Sequence, residues 1–102
     1  MIMELNLMNF QDKIDEVDGF ALVKFGASWC GPCKRYAPTF ETFADENPNV
    51  KCFSVDAEKE TGLCEEYEVS SIPVTLVFKS GELVNRVNGI LTADKLTELT
   101  NG

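Results

Sequence analysis

Three short runs constrain this chain more than any other feature: Phe20–Phe25, Val50–Val55 and Val74–Phe78, with helically spaced stretches between them. The first is apolar on both of its faces, and the other two read as buried in the same way. A strand apolar on both sides needs cover on both sides, the situation of a central strand in an α/β sheet. The intervening segments supply that cover. Met3–Leu7 alternates Met, Leu and Leu with Glu and Asn, as a half-buried strand does. Asn9 stands where a cap belongs, ahead of a helix whose apolar face is Phe10, Ile14 and Val17, and Asp18-Gly19 stops it. Cys33–Glu46 repeats apolar residues at Tyr36, Ala37, Phe40, Phe43 and Ala44, a long amphipathic helix that Pro38 should bend. Thr61–Tyr67 makes a short helix with Leu63, Cys64 and Tyr67 on one side. Ser80-Gly81 turns the third run into Leu83–Val87, and Thr92 caps a last helix, with Asp94 near its start, that buries Leu96 and Leu99.

The element order is therefore β-α-β-α-β-α-β-β-α. It predicts the α/β class: a central sheet flanked by helices on both faces, with a terminal hairpin adding an antiparallel edge. At 102 residues, without repeats or linkers, a single domain over 1–102 is expected.

Charge excludes several functions. With 9 basic and 17 acidic residues the net charge is −8, the wrong sign for nucleic acid or an anionic lipid surface. There is no histidine, which removes imidazole catalysis and every His-containing metal site. No apolar run approaches the roughly 18–20 residues of a membrane helix. The start, Met1 to Asn6, lacks the cationic and apolar segments of a secretory signal, so a cytoplasmic location with reduced thiols is expected.

Chemistry concentrates at Trp29-Cys30-Gly31-Pro32-Cys33. Two cysteines three apart at a strand-to-helix junction have a specific use. The first meets the free amides and partial positive charge of a helix N-terminus, which stabilise a thiolate. The second follows within one turn, near enough to attack a mixed disulfide on the first. Pro32 suits a first turn because it has no amide hydrogen to leave unpaired, and Gly31 keeps the approach to sulfur open. A zinc site built from Cys30, Cys33, Cys52 and Cys64 is the competing use. Structural zinc takes thiolates in close pairs, and Cys52 and Cys64 are far apart in sequence, on a strand and a helix. Those two read as small buried hydrophobes, with a regulatory second disulfide as the alternative.

The stretch Phe25-Gly-Ala-Ser-Trp-Cys-Gly-Pro-Cys-Lys34 resembles the active site of the thioredoxin family. Ile72-Pro73 resembles its cis-proline loop, Phe78-Lys-Ser-Gly-Glu82 its hairpin turn, and Gly89 the glycine beyond that hairpin; the likeness spans essentially the whole chain. The resemblance implies the thioredoxin fold, a mixed sheet between two helical layers. It also implies a thiol–disulfide oxidoreductase that reduces protein disulfides and maintains redox homeostasis. Cys30 would be the exposed nucleophile and Cys33 the buried resolving thiol. Pro73 would be cis against the dithiol, freeing the backbone of Ile72 to pair with a client peptide. Trp29, Gly31, Pro32, Ile72 and Gly89 would form the flat surface that receives it. Partners would be disulfide-containing client proteins and a separate thioredoxin reductase or equivalent donor, since no dinucleotide fingerprint is present. No cofactor or metal is expected, and the protein should work as a monomer.

Several positions depart from the family pattern. Lys24 stands where the family carries a buried Asp beneath the second cysteine, and Cys52 where many members have a lysine paired with it. Gly26 replaces a bulky aromatic and Val74 the usual Thr. A charged Lys24 would favour the Cys33 thiolate, a neutral one could accept its proton, or the stem would carry the amine to solvent. Two rival functions stay open: a binding module with an idle dithiol, and an oxidase or isomerase of an oxidising compartment.

Overall fold

The computed structural model describes residues 2–102, so Met1, the first residue of the expected domain, lies outside the described residues. Among the described residues five strands form one sheet: β1 (Met3–Leu5), β2 (Phe20–Gly26), β3 (Lys51–Asp56), β4 (Val74–Lys79) and β5 (Glu82–Asn88). Their spatial order is β1-β3-β2-β4-β5. Both β1 and β2 run parallel to β3, whereas β4 is antiparallel to β2 and β5 antiparallel to β4. The doubly apolar run is thus the central strand. Four helices cover the sheet: α1 (Phe10–Asp15), α2 (Gly31–Glu46), α3 (Thr61–Glu66) and α4 (Ala93–Leu99).

Side chains of β2 alternate between two cores, as a two-residue period requires. Ala21, Val23 and Phe25 join Phe10 and Ile14 of α1 and Leu63 of α3 on one face. Leu22 joins Tyr36, Phe40 and Phe43 of α2 and Leu96 of α4 on the other. Each large aliphatic or phenylalanine side chain among them, removed from water, contributes roughly 1.5–3 kcal/mol before chain entropy is set against it. The same alternation puts Lys24 on the α2 face.

The connections show where local chemistry prevailed. Ser80 (φ 49°) and Gly81 (φ 85°) both take the left-handed backbone, and Lys79 pairs with Glu82, giving the tight two-residue turn that suits a twisted hairpin. Thr92 caps α4 as expected, its hydroxyl accepting from the Lys95 N–H at 3.1 Å. Asn9 does not cap α1. Its carboxamide oxygen accepts from the Asn6 N–H at 2.8 Å, and Asn6 returns the bond to the Asn9 N–H at 2.9 Å, so the pair closes a turn. That turn ends β1 at Leu5 rather than Leu7, and Leu7 is left 56% exposed over Gly62. The long helix begins at Gly31, two residues before Cys33, and runs through Pro38 unbroken. Leu99 is half-buried beside the second core rather than part of it.

Candidate active site

Strand β2 ends at Gly26 in the middle of the sheet, and α2 starts five residues later, so the loop between them emerges at the sheet's centre. Cys30 is the N-cap of α2, with an extended backbone (φ −86°, ψ 115°), and Pro32 occupies the first turn. Its Sγ accepts a hydrogen bond from the Cys33 N–H at 3.3 Å. A sulfur takes here the place usually held by a Ser or Asp oxygen, on a helix of 16 residues. The amide and the helix terminus both favour negative charge on Cys30. The two sulfurs are joined as a disulfide, with the Cα atoms 5.2 Å apart.

Exposure does not separate the two cysteines, contrary to the expectation of an open Cys30. Cys30 is 5% exposed and Cys33 is 6% exposed. Cys30 is covered by its bond to Cys33 and by the loop before β4, where the Ile72 carbonyl oxygen lies 3.9 Å from its Sγ. What separates them is direction. Cys30 faces that loop, while Cys33 faces β2: a Cβ built on Gly26 would lie 3.3 Å from the Cys33 Sγ.

The remaining predicted residues fall around this pair. The Ile72–Pro73 peptide is cis. Pro73 is buried and its carbonyl accepts from the Gly89 N–H at 2.9 Å, which ties the end of β5 to the loop. Gly89 has φ +93°, a backbone that a side chain would strain. Gly31 and Pro32 are exposed on the first turn, Ile72 is half-buried, and Trp29 is 66% exposed. Ile90, 46% exposed beside Gly89, was not marked by the sequence, because an exposed apolar residue carries no local pattern.

Lys24 lies behind the dithiol. Its neighbours in register are Ser54 on β3 and Thr75 on β4. Its Nζ sits 5.4 Å from the centre of the Phe40 ring and 6.0 Å from that of Tyr36. Burial pushes its pKa below the ordinary value, and the Glu41 carboxylate pulls partly against that. Lys24 and Cys33 line one cavity of about 300 Å³ with Gly26, Ser54 and Asp56. Neither Ser54 nor Asp56 carries a local sequence signal, since only the β2–β3 register brings them beside Lys24 and Gly26.

The other two thiols lie on opposite sides of the sheet, Cys52 with the α2 core and Cys64 against the α1 core, so they do not meet. Burial pushes the Cys52 thiol up to about 11, and raises that of Cys64, with Glu60 adding to it. Among the described residues no group of three or more potential ligands gathers for a metal.

A redox-active cysteine pair capping a helix at the centre of a five-stranded mixed sheet, under a cis-proline loop, defines a thiol–disulfide oxidoreductase. The thioredoxin family profile matches residues 1–101. A thioredoxin of Chlamydia trachomatis is 39% identical over 99 residues, covering 97% of this chain and 95% of its own length. One from Staphylococcus saprophyticus is 37% identical over 99 residues, covering 96% and 93%. The X-ray structure of Fasciola hepatica thioredoxin superposes with a TM-score of 0.88 at 32% identity, covering 95% of this chain and 94% of that one. The chain belongs to the thioredoxin family, whose members are protein-disulfide oxidoreductases.

Proposed function

We propose that this protein reduces disulfides in client proteins, with Cys30 as the attacking sulfur and Cys33 as the resolving one. The observation that carries the assignment is the 3.3 Å hydrogen bond from the Cys33 N–H to the Cys30 Sγ, at the N-cap of α2. In the reduced protein that bond stabilises a Cys30 thiolate. The thiolate attacks one sulfur of the client disulfide, forming a mixed disulfide and releasing the other client sulfur as a thiolate. Cys33, as thiolate, then attacks the Cys30 Sγ; the Cys30–Cys33 bond forms and the second client sulfur leaves. The client gains two electrons and two protons, and a separate reductase restores the dithiol.

The client lies over Trp29, Gly31, Pro32, Ile72 and Gly89, an apolar rim on the side that Cys30 faces, with Pro73 holding the Ile72 backbone toward it. Charged Lys24 favours the Cys33 thiolate through the shared cavity. The setting is the cytoplasm, where a reducing pool suits a dithiol that must be restored after each client, and the working unit is a single-domain monomer. The test is mechanism-based trapping. A Cys33→Ser protein should hold clients covalently through Cys30, whereas Cys30→Ser should hold almost none. Equal trapping by both would overturn the assignment of roles.

A further inference from the structure

We propose that the cavity behind the dithiol is a second entrance to the disulfide, which admits a small zwitterionic thiol to Cys33 from the side away from protein clients. Three observations meet there. The first is the missing side chain of Gly26, which would otherwise crowd the Cys33 Sγ at 3.3 Å. The second is the space itself. At about 300 Å³ it lies at the small end of ligand sites, suited in size to a molecule like an amino acid.

The third is the charge on its walls. Lys24, Lys34, Glu4 and Asp56 line it together with Ser54, so charges of both signs stand on its walls, although one Asp56 oxygen already accepts from the Glu58 and Lys59 N–H groups. An uncharged thiol would engage neither sign. A purely anionic or cationic one would meet repulsion from one pair. The class that fits is an aminothiol acid.

The exchange balances without any further reactant. A small thiolate attacks the Cys33 Sγ; the Cys30–Cys33 bond breaks, and Cys30 leaves as the thiolate that the Cys33 N–H and the α2 terminus stabilise. A second small thiolate then attacks the small molecule's sulfur in the mixed disulfide, and Cys33 departs as a thiolate. Two small thiols are oxidised to their disulfide and the protein disulfide is reduced. The proposal takes its exchange chemistry from the function argued above but rests on Cys33 alone, so the trapping of clients through Cys30 can stand while it fails.

The test runs the exchange in reverse on full-length protein, offering small disulfides to one cysteine at a time. Reduced Cys30→Ser protein receives cystine, neutral hydroxyethyl disulfide, cationic cystamine or anionic dithiodiglycolate, and peptide mass mapping follows the adduct on Cys33. Reduced Cys33→Ser protein, reacting through Cys30, calibrates the intrinsic reactivity of each reagent. Relative to that calibration, Cys33 should prefer cystine over hydroxyethyl disulfide by about tenfold, the scale of a charge-assisted contact. Adding Ala37→Leu, which fills the cavity from the α2 wall, should remove the preference. Its fold is verified by unchanged reduction of a protein disulfide when both cysteines are present. Gly26→Ala, which crowds the sulfur directly, should slow every reagent at Cys33. No adduct on Cys33, the same preference at both cysteines, or a preference that survives Ala37→Leu would overturn the proposal.

Discussion

The ammonium of Lys24 is held between two influences. The Phe40 and Tyr36 rings offer it their faces, an attraction of roughly 0.5–2 kcal/mol depending on solvation, while burial itself disfavours the charge. Its amine stands on the wall of the cavity that Cys33 also lines. Replacing it with a carboxylate reverses the sign of the field at Cys33. In Lys24→Asp the alkylation profile of Cys33 should therefore move to higher pH, measured in a Cys30→Ser background. The sign also sets where the effect ends. Because burial holds Lys24 below its ordinary 10.5, its help to Cys33 is lost as pH rises through that lowered value. Superimposable profiles would leave Lys24 as a stem packed on Phe40. Glu41 on α2, Glu4 on β1 and Asp56 on β3 share this neighbourhood and are unchanged in the variant.

Between elements, one buried hydrogen bond joins the two that carry the site. The Tyr36 hydroxyl on α2 and the Thr75 hydroxyl on β4 lie 2.8 Å apart, and both residues are fully buried. The bond fixes α2, which begins with the dithiol, against the strand that continues from Pro73. Tyr36→Phe strands the Thr75 hydroxyl and should cost about 1–3 kcal/mol in urea denaturation. Tyr36→Phe with Thr75→Val removes both partners and should recover most of that loss. If the double variant is the sum of the two singles, the bond is not what holds the elements. This contact shows why the elements were legible in the sequence and their junctions were not. Apolar period alone separated β2, β3 and β4 from α2, because burial on one face or two leaves a local pattern. Asn9 failed as a cap because Asn6 offered its side chain a nearer partner. The wall formed by Ser54 and Asp56 depends on strand register, which no single segment encodes. The dithiol was legible as chemistry, but the direction each sulfur faces belongs to the assembled sheet.

Across the whole molecule the absence of histidine leaves little to titrate between the carboxylates and the thiols, so stability should be flat from about pH 6 to 8. Alkaline pH is different. Burial against the α2 core pushes Cys52 from 9.0 up to about 11 and Tyr36 from 10.0 up to about 12. Both groups are neutral when protonated, so the folded protein keeps protons that the unfolded chain gives up earlier. Above about pH 9 the unfolded state binds fewer protons, and stability falls as pH rises. The contribution is complete below 9 and is lost on the way to about 12. Lys24 works in the opposite sense, since the folded state releases its proton below 10.5 and folding gains on approach to that value. The rising net negative charge of an already acidic chain adds to the loss. Cys52→Val keeps a small apolar side chain on β3 and removes one titrating group together with its smaller Coulombic effect on Tyr36. Urea denaturation of the oxidised protein at pH 8 and pH 11 should show the wild type losing roughly 1–2 kcal/mol more than Cys52→Val over that interval. Equal losses in the two proteins would mean that the Cys52 thiol reaches solvent in the folded state, and that the α2 core is looser at β3 than its packing indicates.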